Sequence, residues 1–237
     1  MNDGAGLVEA VAGAIISHQK ISALPSGLSV EQAYEIQHRV AEVVSGNNVI
    51  GIKAGVTAVP VQQFLGLSSP AIGSLYGGGK LLSGCRLRVE EGSQLECEIG
   101  VLLDGDGKPK AILPVIEVVL LGFERDEDLT GANVIAVNMG ADRVICGEPI
   151  AWQSRPAQID IQLAFNKSIV CTASSNDSLG GVEGGVNWML AEAARRGFCV
   201  GEDSLLILGT CGPSVPALSG DYKANYGELG GIEFTVI

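Results

Sequence analysis

The 237-residue sequence predicts an α+β protein, with a helical N-terminal segment over residues 1–48 leading into one mixed-β core over residues 49–237 and helices at its periphery. Three observations carry this. Apolar residues in the first fifty positions recur at helical spacing. From Val49 onward the chain breaks into strand-length runs rich in Val, Ile and Leu, most of them separated by Gly, Asn, Asp or Pro. The 33 glycines are about twice the usual share and follow no period, which marks tight turns and bulges rather than a collagen-like repeat or a linker.

In chain order, Leu7, Val8, Val11 and Ile15 line a first helix that ends near Gln19-Lys20. The second helix has a start signal: Ser29 caps it and Gln32, three residues on, completes a capping box. Ala33, Ile36, Val40 and Val43 form its apolar stripe, and Gly46 is placed to end it. Val49 to Val56 reads as a strand, and Pro60 opens a short helix over Val61 to Leu65 that Gly66 stops. Strands are expected at 95–103, 111–121, 133–137, 144–146, 159–165, 169–172, 205–208 and 232–236. One late helix interrupts them, with Val186, Leu190 and Ala194 on one face, Arg195-Arg196 in its last turn and Gly197 after it. No repeat, charge block or linker divides the chain, so the expectation is one compact unit. The alternation is too irregular for a doubly wound sheet, and no phosphate-binding glycine motif follows a strand.

Composition narrows the function classes. Apolar residues make up 46% and charged residues 18%, enough material for a core and too apolar for disorder. A net charge of −12 disfavours nucleic acid and anionic membrane surfaces as partners. With two histidines, His18 and His38, a His-rich metal site or a His relay has little to draw on, and both read as solvated helix residues. The six cysteines form no CxxC pair, there is no basic leader and no membrane-length apolar run, and the expectation is a cytoplasmic protein with reduced thiols.

Ionisable groups inside apolar strands are the informative anomaly, because burying an unpaired charge costs several kcal/mol. Strand alternation puts Glu96 and Glu98 on one face and Leu95, Cys97, Ile99 and Val101 on the other. Two readings of that pair stand: an exposed sheet face, or carboxylates gathered around a cation. Glu117 is the one charge in the run Ile112 to Leu121, and both sides of that strand are apolar, so it needs a cation, a metal or a raised pKa. Three carboxylates and almost no histidine describe a hard-cation site, suited to Mg²⁺ or Mn²⁺, with Ca²⁺ within the same oxygen chemistry. Lys53, between Ile52 and Ala54, reads either as a desolvated proton donor and acceptor or as one half of a structural salt bridge, with these glutamates as partners.

The order of motifs resembles a known family. Ala33-Tyr34-Glu35-Ile36-Gln37, Gly51-Ile52-Lys53-Ala54-Gly55-Val56-Thr57, Val61-Gln62-Gln63-Phe64-Leu65-Gly66-Leu67 and Pro70-Ala71-Ile72-Gly73-Ser74-Leu75 follow one another as in the 2-keto-4-pentenoate hydratases. That family includes 4-oxalocrotonate decarboxylases and lies in the fumarylacetoacetate hydrolase superfamily. The resemblance continues through Glu96-Cys97-Glu98, Leu113 to Val118 and Arg125 to Gly209, Gly212-Pro213, Gly220-Asp221 and Leu229-Gly230-Gly231. It implies a mixed β-roll core, Mg²⁺ or Mn²⁺ on Glu96, Glu98 and Glu117, and Lys53 as the proton shuttle. It implies substrate binding by Gly55, Thr57, Arg125, Gly209 and Thr210, and a small-molecule 2-oxo acid substrate from the catabolism of aromatic compounds. A homo-oligomer, and a complex with a partner enzyme of the same pathway, also follow from it. The implied activity is a metal-dependent hydratase of an unsaturated 2-oxo acid, 2-hydroxypenta-2,4-dienoate-like; the alternatives are a 4-oxalocrotonate-like decarboxylase, an acylpyruvate C–C hydrolase and a non-catalytic accessory protein.

Several positions depart from the family pattern. Pro70-Ala71-Ile72-Gly73 replaces Pro-Asp-Phe-Gly, which removes an acidic partner of the lysine and moves weight toward decarboxylation. Val137-Asn138-Met139-Gly140 replaces Asp-Asn-Ala-Ser, and Leu208-Gly209-Thr210 carries its threonine one place late. The link between Glu98 and Glu117 is short, without the helix that often covers the site.

Overall fold

The computed structural model describes residues 3–22 and 24–237. Two helices open the chain, α1 (Asp3–Ile16) and α2 (Val30–Ser45), followed by β1 (Val49–Gly55), α3 (Val59–Leu65), β2 (Ala71–Tyr76), β3 (Lys80–Leu82), β4 (Arg86–Leu87), β5 (Gln94–Leu103) and β6 (Pro109–Val119). The second half runs α4 (Gly131–Ala136), β7 (Ala141–Cys146), β8 (Ile150–Ala151), β9 (Asp160–Phe165), β10 (Ser168–Ser174), α5 (Gly181–Arg196), β11 (Leu205–Ile207), β12 (Val215–Pro216), β13 (Gly220–Asn225) and β14 (Gly231–Val236). None of the described helices is long and apolar enough to cross a membrane.

The main sheet is mixed, in the order β2-β1-β11-β5-β6-β7-β3, with β12 on β5 and β8 on β6. β2 comes back against β7, so the sheet curls into a roll. Its inner face carries Leu75, Leu113, Val115, Val144, Cys146, Leu205 and Ile207. The outer face of β5, with Leu95, Cys97, Ile99 and Val101, joins the main core, which includes residues of the five-stranded sheet β10-β9-β13-β14-β4 and of the helices. Tyr226 ties the two sheets, its hydroxyl donating to the Val115 carbonyl at 2.6 Å.

Local signals hold where they are strongest. The Ser29–Gln32 capping box forms, and Gly46, Gly66 and Gly197 end their helices in the left-handed conformation. β1, β5, β6, β7, β9, β10, β11 and β14 lie where strands are expected.

Four details differ. Residues 133–137, expected as a strand, are mostly helical: the Thr130 hydroxyl accepts from the Asn133 N–H, and the Asn133 side chain donates to the Asp128 carbonyl. That helix is buried on nearly every side, so its apolar run has no helical period to read. The buried face of α2 is Ala33, Tyr34, Gln37, Val40 and Ala41, which leaves Val43 exposed. The buried face of α5 runs through Val186, Met189 and Ala193, with Ala194 outside. β2, fully buried, and β13 are not expected from the sequence because Gly, Ser and Lys interrupt their patterns, and β3, β4, β8 and β12, two or three residues each, are too short to leave one.

Candidate active site

β5 and β6 are joined by a tight turn over 104–108, in which the Asp104 carboxylate accepts from the Asp106 and Lys108 N–H groups. This hairpin is the short link noted in the sequence, and it fixes register: Glu96 lies opposite Glu117, and Glu98 opposite Val115. All three carboxylates point into the roll, with one oxygen from each within 4.8 Å of the others. Glu98 is 0% exposed and Glu117 1%, while Glu96 is partly buried.

β1 brings in the cation. Lys53 pairs with Ile207 of β11, which pairs with Gly100 of β5, so Lys53 lies two strands from Glu98 on the same inner face. The Lys53 Nζ stands 2.5 Å from Glu117 Oε1, and Lys53 is 2% exposed. Both sequence readings of Lys53 meet here: it is a desolvated lysine and it is paired with a glutamate of the cluster.

Gly209 closes the cradle. Leu208 N–H bonds Ile99 O and Cys211 N–H bonds Cys97 O, so this segment runs alongside β5 and aims Gly209 N–H at Glu98 Oε2, 2.8 Å away. Gly209 sits at φ +89, and a Cβ there would come 2.5 Å from the Thr57 methyl and 2.9 Å from the Ser178 hydroxyl, so a side chain would disrupt the approach. After β1 the chain turns at Val56, a β-branched residue at φ 55, and the Gln62 side chain donates to the Val56 and Thr57 carbonyls to hold that turn.

The electrostatics are one-sided. Three carboxylates and one ammonium leave a formal charge of two minus in a closed space. Burial and the Glu117 charge push the Glu96 carboxyl up to about 7, against the pull of Lys53. Burial, then Glu117 and Glu96, raise Glu98 well above the usual range, with Lys53 and the Gly209 N–H opposing. Burial pulls Lys53 down, but Glu117, Glu96 and Glu98 together leave it above the ordinary lysine value. Glu98 Oε1 and Glu117 Oε2 lack hydrogen-bond partners, and Glu117 Oε1 has only the Lys53 ammonium beside it. Buried anionic oxygens without donors are costly, and a divalent cation satisfies all of them at once, so the donor set fits an oxygen-ligated metal.

Of the residues expected at the site, Lys53, Glu96, Glu98, Glu117, Gly55, Thr57 and Gly209 gather on and around this face. Thr210 turns its hydroxyl to the Gly212 carbonyl at 3.1 Å. Arg125 forks onto Asp128 at 2.7 and 2.8 Å and lines a separate cleft of about 610 Å³ with His18, Phe64, Leu121 and Leu129. His18 lies just past α1 at φ 52, with Nε2 3.1 Å from Asp142; His38 Nε2 contacts the Arg196 carbonyl at 2.9 Å. Sequence reasoning missed Gln62 and Ser178, whose roles are hydrogen bonds to backbone carbonyls that leave no pattern in the chain.

No family model matches the chain. It is 26% identical over 218 residues to a 2-keto-4-pentenoate hydratase of Paraburkholderia xenovorans (strain LB400), covering 82% of this chain and 78% of the relative. It is 26% identical over 213 residues to a 2-hydroxyhexa-2,4-dienoate hydratase of Comamonas testosteroni, covering 82% and 81%. In fold it is similar to a 4-oxalocrotonate decarboxylase from Pseudomonas putida G7 complexed with magnesium and adipate, with a TM-score of 0.90 at 19% identity over 99% of this chain and 97% of that one. A fumarylpyruvate hydrolase from Pseudomonas aeruginosa, in complex with Mn²⁺ and pyruvate, gives a TM-score of 0.59 at 13% identity over 78% and 88%.

Proposed function

We infer that this chain, similar in sequence to the 2-keto-4-pentenoate hydratases and built on the fumarylacetoacetate hydrolase fold, is a metal-dependent hydro-lyase acting on an unsaturated 2-oxo acid of the 2-hydroxypenta-2,4-dienoate type. The observation that carries this reading is the convergence of Glu96, Glu98 and Glu117 inside the roll with Lys53 at 2.5 Å from one of them.

Glu96, Glu98 and Glu117 would hold the metal, Mg²⁺ or Mn²⁺ by the chemistry of their oxygens. When bound it supplies Lewis-acid stabilisation of negative charge on the 1-carboxylate and 2-oxo or enol oxygens. Gly209 N–H fixes the Glu98 carboxylate by holding Oε2. Lys53 Nζ, protonated beside Glu117, is the proton donor. A proton placed on the terminal carbon of the dienol, with the 2-hydroxyl giving up its own proton to restore the Lys53 ammonium, moves the double bond between carbons 3 and 4 and leaves a 2-oxo group. Water then adds at carbon 4, its other proton going to carbon 3, so one water is gained overall. Burial of Lys53 and of the glutamates keeps bulk water from competing for these positions.

The second reading, loss of a vinylogous carboxylate as CO₂, draws on Ala71, which puts no carboxylate on β2 beside the lysine strand. One experiment separates the two. Metal-loaded protein is given 2-hydroxypenta-2,4-dienoate and 4-oxalocrotonate, and the products are weighed. The hydratase reading expects a gain of one water on the dienoate, abolished in Lys53→Ala while metal binding persists. Loss of CO₂ from oxalocrotonate without dienoate hydration would replace it, and no turnover of either would leave an accessory role. The substrate is a small molecule; a homo-oligomeric cytoplasmic enzyme that docks with a pathway partner is the assembly this reading favours.

A further inference from the structure

Away from the carboxylates, the strand beside Lys53 carries no polar side chain toward it. Gly73 of β2 is the register partner of Lys53, and Ala71 is the partner of Gly55, two residues beyond Lys53 on the same face. Something fills the space these small residues leave. A Cβ on Gly55 would stand 2.5 Å from Met139 Sδ, and one on Gly73 would stand 2.9 Å from Met139 Cε. The thioether therefore lies across both glycines, next to Lys53, and Met139 is buried.

Its position is enforced. Asn138 and Met139 are consecutive left-handed residues, at φ 56 and φ 52, a conformation that costs energy in non-glycine residues and persists only when the surroundings over-determine it. The fastening is the Asn138 amide, which accepts from Ser74 N–H at 2.8 Å and donates to Ser74 O at 2.9 Å. The edge of β2 thus holds the turn that presents Met139.

We propose that Met139 determines substrate specificity, forming the apolar wall against which the carbon tail of a 2-oxo acid lies, so that the site takes acids with an uncharged tail and rejects those carrying a second carboxylate at the far end. This rests on the reading of the glutamate cradle as a 2-oxo-acid site. An acid whose oxo end lies at the glutamates and whose reacting carbon lies at Lys53 Nζ extends its remaining carbons toward β2, because β1 lies between β2 and the carboxylate strands. A second carboxylate there would meet a thioether, an alanine methyl, two glycines and the Asn138 side-chain oxygen, an acceptor that offers it no proton. Lys53 is paired with Glu117 and Arg125 with Asp128, so a terminal carboxylate finds no free cation there. The same wall favours hydration over loss of a terminal carboxylate, since only the latter requires a dicarboxylate.

The test uses two saturated 2-oxo acids of equal length, 2-oxohexanoate and 2-oxoadipate, titrated calorimetrically into Mn²⁺-loaded protein, so binding is read without turnover. Wild type is expected to favour 2-oxohexanoate by about tenfold or more, as sites do when one ligand leaves a buried polar group unpaired. Met139→Leu keeps that preference, while Met139→Gln, of similar size with an amide to offer, narrows it to within about threefold. Equal affinity of wild type for the two acids overturns the proposal, however the variants fold. So does an unchanged preference in a Met139→Gln protein that still binds Mn²⁺. Binding of neither acid by wild type that does bind Mn²⁺ would instead remove the 2-oxo-acid reading beneath it.

Discussion

Glu96 and Glu117 face each other directly across β5 and β6, register partners near the open end of the longest hairpin of the fold. Like charges opposite one another in an antiparallel ladder are destabilising, and here both point into a closed roll with Glu98 beside them. Lys53 answers only one of the three negative charges. The hairpin therefore holds a deficit of two positive charges, at a place where a hydrophobic pair would have been more stable for folding alone.

Removing one of these carboxylates should stabilise the metal-free protein or leave it unchanged. Glu98→Gln keeps the volume and an acceptor for Gly209 N–H while relieving repulsion from Glu96 and Glu117. The same variant should lose the metal-dependent gain in Tm, which for wild type at a metal concentration a hundred times Kd corresponds to about 2.7 kcal/mol. Thermal melts with chelator and with excess Mn²⁺ check both halves.

Lys53→Met should act in the opposite sense. It leaves three inward-facing carboxylates without a cation, and stripping one partner from a buried pair such as Lys53–Glu117 typically costs about 3–5 kcal/mol. Added Mn²⁺ should recover much of that loss, measured by denaturant midpoints. Turnover should fall by about 10²–10⁴-fold even with metal present, the range for loss of a positioned acid.

Gln37 is fully buried on α2, and its amide donates to Ile72 O at 3.1 Å and Ile135 O at 2.8 Å, joining α2 to β2 and α4. Gln37→Leu should cost about 1–3 kcal/mol by stranding those carbonyls. Because β2 backs Lys53, the KM of the variant should rise before its kcat falls, and steady-state kinetics beside melts will show it.

Glu192 supports a pH prediction at a distance from the site. Burial raises its pKa, but the fork from Arg195 and the single hydrogen bond from Arg196 Nε outweigh that and hold it below the usual range. A depressed folded-state pKa means the stabilisation is present above the unfolded value and lost as pH falls through the native one. Its magnitude is on the order of 1 kcal/mol, since Arg195 is exposed. Wild type should lose Tm on acidification below about pH 4.5 more steeply than Glu192→Gln, and the gap between them should close in acid.

The parts of this molecule legible in the sequence are those set by neighbours in the chain. The Ser29 box, the glycine stops after α2, α3 and α5, and the alternation that puts Glu96 and Glu98 on one face need only local geometry. Glu117 was legible as buried because both sides of its strand are apolar, and the family resemblance read from the ordered motifs is borne out by the hydratase relatives and the fold. What depends on closure of the sheet was not. No local pattern says that β2, with Gly73 and Ser74 in it, returns against β7, that Gln37 spends its amide on two distant carbonyls, or that Met139 lies over Gly55 and Gly73. Residues 133–137 misled for a related reason, since a helix buried on all sides loses the polar stripe that distinguishes it from a strand.

The most direct test of the central claim is Mn²⁺ calorimetry on chelator-stripped protein, with and without oxalate as a planar mimic of the 2-oxo-acid enolate. The account predicts one site per chain, tightened by oxalate, and lost in Glu98→Gln. Absence of Mn²⁺ binding to folded wild-type protein, or binding that Glu98→Gln leaves intact, would contradict it.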